Sequence, residues 1–296
     1  YTTLVDILEK DNHCYGAVIR RPDGSLDTVT ATYTVLASGG VGGLYRHSTN
    51  FRHLTGDALA IAGKHNIELQ NPDYVQIHPT KHPEDRSFLI SESVRGEGAR
   101  LYDKNMNRFV NELLPRDLLS QKIHEQMAKD DTDFVWEDLR TIPAETLRHH
   151  FPNIVEHCKE MGYDVFKECI PVVPAQHYFM GGVKVDHQSR SSMENLYVVG
   201  EAACNGVHGK NRLASNSLVF AKRAAQDMAK NVFSQTDDAA DCGTDSSITE
   251  ISNTYAAANT ADIHDTQITA DYLASHVDLH QYEDQQALAE AYHHLA

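Results

Sequence analysis

Two apolar stretches far apart in the chain each run straight into glycine, and they limit the fold more than any other feature. The first is TVTATYTVLA, Thr28–Ala37, followed by Ser38-Gly39-Gly40. The second is LYVV, Leu196–Val199, followed by Gly200-Glu201. Runs this rich in β-branched residues read as strands. A strand that ends in glycines is where an α/β sheet lets a cofactor approach its backbone, although a plain turn has the same look. An acid at such a strand end accepts hydrogen bonds and suits sugar hydroxyls, although an acidic strand cap is also common.

The second stretch leads to CNGVHGKNRLASNSLVFAKRAAQ, Cys204–Gln226. Arg212 stands there among turn-formers, ahead of a helical run from about Asn216 to Lys230. Ser215 or Asn216 is expected to cap that helix, with Leu218, Ala221, Ala225 and Met228 as its inward stripe. Its unpaired first N–H groups favour an anion or a group that becomes negative, and an ordinary capped helix would read the same.

Residues 1–40 alternate as strands, with a Pro-Asp-Gly turn at Arg20–Ser25. Thr55 is placed to cap a helix that turns Leu59, Ala60 and Ala62 inward. YVQIHPT reads as a strand, and Glu92–Arg95 as a short helix closed by Gly96 and Gly98. LPRDLLSQKIHEQMAK reads as a helix with Leu118, Leu119, Ile123 and Met127 on its buried face. AETLRHHFPNIVEHCKEMG adds helical turns, so that about 77–177 reads as a mostly helical insertion. DDAADCGTDSS reads as a loop, and 250–296 as helical without identifiable chemistry.

Donors and cations recur at turns: His78, Ser91, Arg116, His177 and Arg212. Arginine matches a carboxylate with a planar fork, and histidine donates from a fixed ring. Two of each, converging, would hold a small dicarboxylate. Singly, each also reads as a surface ion pair or a satisfied histidine, since the chain has 18 histidines.

Composition narrows the classes. Every Lys and Arg lies at or before Lys230, whereas 12 of the 42 acids follow it, so the net charge of −16 belongs largely to the tail. That disfavours nucleic acid as a partner. Five scattered cysteines argue against a disulfide framework and a metal site, and point to a reducing cytoplasm. No apolar run is long enough for a membrane span.

The ordered set IHPT, SESVRGEGARL, LPRDLLS, PAQHYFMGGV, LYVVGEAA and HGKNRLASNSL resembles the flavoprotein family of succinate dehydrogenase, fumarate reductase and L-aspartate oxidase. GVHGKNRLASNSL and PAQHY look most like the L-aspartate oxidases, because the respiratory enzymes usually carry a Gly-Gly pair where this chain has Ala214-Ser215. The resemblance covers roughly residues 1–230. It implies an α/β fold: a split, Rossmann-like FAD-binding domain (1–76 and 178–235) with an inserted α+β capping domain (77–177). An acidic linker and helical segment would occupy 236–296.

The resemblance also implies non-covalent FAD touching Ser38, Gly39, Gly40, Asp57, Glu201, Ser217 and Leu218. His78, Ser91, His177 and Arg212 match the groups that hold the substrate carboxylates. Arg116 matches the proton carrier, with Glu92 or Asp117 beside it. The implied reaction is hydride transfer from L-aspartate to FAD, giving iminoaspartate. Reoxidation would use O2, giving H2O2, or fumarate. Iminoaspartate would pass to quinolinate synthase, by a transient link, as the first step of NAD biosynthesis. A fumarate reductase or succinate dehydrogenase subunit, and a non-catalytic helical interaction domain, are the alternatives.

The chain departs from the family in lacking the glycine-rich dinucleotide fingerprint and the early histidine of covalent FAD carriers. Ser91 stands where threonine is usual, and Lys210 where a small residue is usual. The expectation is therefore a fragment without the N-terminal FAD-binding segment, inactive by itself.

Overall fold

The computed structural model describes residues 2–84, 88–212 and 217–235. In chain order it contains β1 (Thr3–Lys10), β2 (His13–Arg20), β3 (Leu26–Thr30), β4 (Thr34–Leu36), α1 (Asp57–Lys64), β5 (Leu69–Gln70) and β6 (Val75–Lys81). There follow α2 (Glu92–Gly96), β7 (Arg100–Tyr102), α3 (Arg116–Asp130), β8 (Val135–Asp138), α4 (Ala144–His150) and α5 (Pro152–Glu160). The last elements are β9 (Ile170–Phe179), β10 (Gly182–Lys184), β11 (Leu196–Val198), β12 (Ala203–Cys204) and α6 (Ser217–Gln235). Two compact units share them. The first takes the chain up to Leu44, Leu54–Val75 and the residues from Phe179 onward; the second takes Tyr45–His53 and Gln76–Tyr178.

In the first unit β1, β2 and β3 form an antiparallel meander. Its first turn is Asp11-Asn12, both with positive φ (55° and 61°), the twist a two-residue hairpin requires. The second is the Pro-Asp-Gly turn, in which Asp23 accepts the Ser25 N–H at 3.0 Å. β4 and β11 pair in parallel, Thr34 opposite Leu196 and Leu36 opposite Val198. The core packs Leu36, Leu196 and Val198 with Ala58, Ile61 and Ala62 of α1 and with Ile7. A buried acid, Asp6, joins β1 to α1. Burial would raise its pKa, but bonds from His65 (2.6 Å) and Lys64 outweigh that and lower it.

The cap of α1 is Gly56 at φ 81°, not Thr55, whose hydroxyl instead donates to Asp57 at 2.7 Å. On α6 the expected stripe is rotated. Phe220 and Ala224 are buried and Met228 is partly buried, whereas Ala221 and Ala225 are exposed and Leu218 is 88% exposed. The largest side chain, Phe220, sets the inward face, since it buries far more apolar area than alanine. The expected caps Ser215 and Asn216, the acidic loop and the tail lie outside the described residues.

The second unit is α+β rather than mostly helical. A four-stranded sheet of order β6-β9-β8-β7 carries α2–α5. β7 and β8 escape a sequence reading because RLY and VWED are short and half charged. The α3 helix buries Leu119 and Ile123 at i, i+4 and leaves Leu118 47% exposed, so only one of the adjacent leucines faces the core. Pro152 at the first position of α5 ends α4 just before it. The core gathers Val94, Leu101, Leu119, Ile123, Val135, Leu147 and Ile170. No helix among the described residues is long and apolar enough to cross a membrane.

Candidate functional site

The second unit assembles a cationic cluster. Strand period two puts Gln76, His78 and Thr80 on one face of β6. His177 comes from β9, paired with β6 in the sheet, and its ring lies 5.4 Å from that of His78, edge to face. Thr49 holds the His177 ring through Nδ1 at 2.8 Å. Arg116 opens α3. Its Nε donates to Glu92 Oε2 at 2.6 Å and its Nη1 to Gln76 Oε1 at 3.3 Å. Ser91 caps α2 by accepting the Ser93 N–H at 3.3 Å, which sets Glu92 in the first turn. Asp117 follows Arg116 in α3.

His78 is 1% exposed. Its Nδ1 faces the Thr80 main chain at 3.2 Å, and its Nε2 is buried without a hydrogen-bond partner. Such a group costs about 1–3 kcal/mol if left unpaired, so it marks a place built for something else. Burial first, then the charges of Arg95, His177 and Arg116, hold the His78 pKa well below its ordinary value.

The first unit assembles a different site. Pairing β4 with β11 in parallel sets Ser38-Gly39-Gly40 and Gly200-Glu201 at the same end of two neighbouring strands. Glu201 Oε1 accepts the Phe179 N–H at 2.8 Å. Burial pushes the Glu201 carboxyl up to about 7, against the pull of the Phe179 bond and the Arg212 charge. A Cβ on Gly40 would stand 2.6 Å from Glu201 Oε1, so the glycine makes room for the carboxylate. Gly39 takes φ 82°, which a side chain disfavours. The half-buried Arg212 belongs to this unit, as do Asp57 at the start of α1 and Ser217 at the start of α6. Leu218 presents its apolar surface outward from the first turn of α6.

His78, His177, Arg116 and Glu92 are thus gathered within the second unit, with Ser91 next in the chain, while Arg212 lies in the first, electrostatically coupled to Glu201. Gln76, Thr49, Thr80 and Arg95 are participants that sequence reasoning missed. The alternation around His78 could have indicated Gln76 and Thr80; nothing local indicates Thr49.

A parallel strand pair ending in a glycine cradle and a buried acid defines an α/β protein that binds a nucleotide cofactor. The FAD binding domain family model matches residues 2–218, and the chain belongs to that family. L-aspartate oxidase of Clostridium perfringens is 51% identical over 230 residues, covering 75% of this chain and 52% of that protein. L-aspartate oxidase of Bacillus subtilis is 41% identical over 236 residues, covering 76% and 44%. The chain spans about half the length of the curated relatives it matches. Among solved structures, an E. coli quinol fumarate reductase matches with TM-score 0.73 and 30% identity, over 92% of this chain and 49% of that one. A flavocytochrome c3 fumarate reductase in its open conformation gives TM-score 0.61 and 25% identity, over 77% and 52%. The fold is the split FAD-binding domain with an inserted capping subdomain.

The family match corrects one expectation. The chain does not lack its FAD-binding segment, because residues 2–218 are that domain. The glycine fingerprint is only one part of such a domain, and the Gly39-Gly40 turn and Glu201 are others. These residues fit FAD: the carboxylate oxygen Oε2 of Glu201 has no hydrogen-bond partner among the described residues and can accept from a sugar hydroxyl, and outward Leu218 offers apolar contact to a flat ring.

Proposed function

We propose that this chain carries out the FAD-dependent oxidation of L-aspartate to iminoaspartate in the cytoplasm, with FAD held non-covalently. The observation that carries the reading is the buried, partnerless Nε2 of His78 beside His177 and Arg116. A neutral or cationic donor set of this kind suits a small dicarboxylate. Identity of 51% to an L-aspartate oxidase supports aspartate as that dicarboxylate.

In this reading the cofactor belongs to 1–76 and 178–235, where Ser38, Gly39, Gly40, Asp57, Glu201, Ser217 and Leu218 hold it. The substrate belongs to the cap, 77–177. His78, Ser91, His177 and Arg212 hold the two carboxylates. Bound FAD supplies a hydride acceptor. Arg116 moves a proton at its guanidinium, and Glu92, 2.6 Å away, takes up the charge that a guanidinium cannot lose by itself. Iminoaspartate then passes to quinolinate synthase.

Likeness to fumarate reductases supports a second reading, reduction of fumarate by the same clamp. In the whole protein, H2O2 formation is expected with aspartate and not with succinate. Turnover of succinate alone overturns the aspartate reading. Arg212→Leu is expected to abolish turnover of either substrate; unchanged turnover removes the carboxylate clamp.

A further inference from the structure

His78 Nδ1 lies 3.2 Å from both the N–H and the carbonyl of Thr80, so either could be its partner. The surroundings decide. The Thr80 carbonyl already accepts the Ile90 N–H at 3.2 Å. The Thr80 hydroxyl donates to the Ile90 carbonyl at 3.1 Å and accepts from Arg95 Nη1 at 2.6 Å. Thr80 is fully buried, and its N–H needs an acceptor. A hydrogen on Nδ1 would face that N–H and strip it of the ring nitrogen. The lone pair therefore sits on Nδ1 and the hydrogen on Nε2, the atom left without a partner.

A second proton on this ring would meet only cations. Arg95 of α2 is 2% exposed and bonds the residue that holds the ring. His177 faces it from β9 and Arg116 from α3. Of the acids on neighbouring elements, Glu92 is bonded to Arg116, while Glu137 of β8 interacts with Arg95 and is itself pushed up to about 7 by burial.

We infer that Thr80 and Arg95 are positioning residues that act through His78: Thr80 fixes the tautomer with hydrogen on Nε2, and Arg95 keeps the ring from becoming an imidazolium. A dicarboxylate would then meet a neutral donor at His78, and its charge would fall to the arginines. The inference rests on the dicarboxylate reading for the ligand, but not for the state of the ring.

The test uses the full chain labelled with 15N-histidine, without substrate. Long-range 1H–15N spectra are recorded between about pH 5 and 8, with His78 assigned by its loss in His78→Gln. The expected result is a neutral ring with hydrogen on Nε2 throughout. Arg95→Gln should move its midpoint up by about one pH unit or more, and Arg95→Lys, which keeps the charge, should restore the wild-type behaviour. An Nδ1–H tautomer, or an imidazolium near the ordinary value of about 6.5, overturns the inference from the wild-type spectra alone. So does a folded Arg95→Gln variant whose ring titrates like wild type. Because no substrate is present, the ring state and aspartate turnover fail separately.

Discussion

Glu201 in the first unit and Glu137 in the second are both buried acids raised to about 7, yet their settings differ. Glu201 follows a parallel strand, abuts a glycine that gives it room, accepts one N–H and interacts with Arg212. Glu137 sits mid-strand on β8, fully buried, with no hydrogen-bond partner on either oxygen. A shifted carboxyl therefore does not mark a site by itself, because burial dominates both shifts. The glycines around it and an oxygen open to a ligand make the distinction. The same contrast separates the two units. The second holds a bonded set of cations and donors suited to chemistry, and the first a cradle suited to a cofactor.

That contrast can be broken most decisively at Arg116. In the whole protein, Arg116→Leu is expected to lower turnover roughly 1000-fold while flavin absorbance stays. Loss of flavin with it would mean that the two roles are not divided between the units.

Glu137 should reveal itself in stability. Its folded-state pKa lies above the unfolded one. Below about 4.5 both states hold the proton and nothing is lost. As pH rises from there to about 7, the unfolded chain ionises first, and the fold loses at most about 3 kcal/mol. Glu137→Gln should remove that share of the slope, raising the urea midpoint at pH about 8 relative to wild type but not at about 5. Parallel slopes in the two proteins would show that Glu137 is ionised in the fold.

Glu201→Leu is expected to weaken FAD binding by about 2 kcal/mol, read as a roughly 30-fold change in Kd, because a charged acceptor is lost. Unchanged affinity would reduce Glu201 to a strand cap. The smallest effect belongs to Leu218→Ser. Its outward side chain should change unfolding stability by less than about 0.5 kcal/mol and act on flavin affinity instead. A large stability loss there would return Leu218 to the inward stripe.

Much of the fold is legible in the sequence because local rules and global packing agree there. The strand before Gly39, the Pro-Asp-Gly turn and the strand through His78 all carry their own turn or alternation signals. The helix that begins at Ser217 was legible as an element but not in its rotation, because alanines at 221, 224 and 225 give periodicity nothing to choose between. Phe220 decides, through burial that only the fold supplies. The second unit's sheet was illegible for a similar reason. β7 and β8 are three and four residues long and become strands by pairing, Leu101 opposite Glu137 and Val135 opposite Val172. In the candidate site, His78, His177 and Arg116 stand out by residue type. Thr80 and Arg95 do not, since their part depends on one another's position.

The short strip Tyr45–His53 has a consequence for how the polypeptide is put together. Ser48 bonds Gln176 at 2.7 Å, Asn50 bonds Gln176 at 2.8 Å, and Thr49 bonds the ring of His177. A ribosome must deliver well over a hundred further residues before this strip can find its place, although the entropy of closing so long a loop grows only slowly with its length. A protease cut between His53 and Gln76 would not free the second unit as a finished body. The strip would still be held to it without a covalent link, as in a complemented fragment pair.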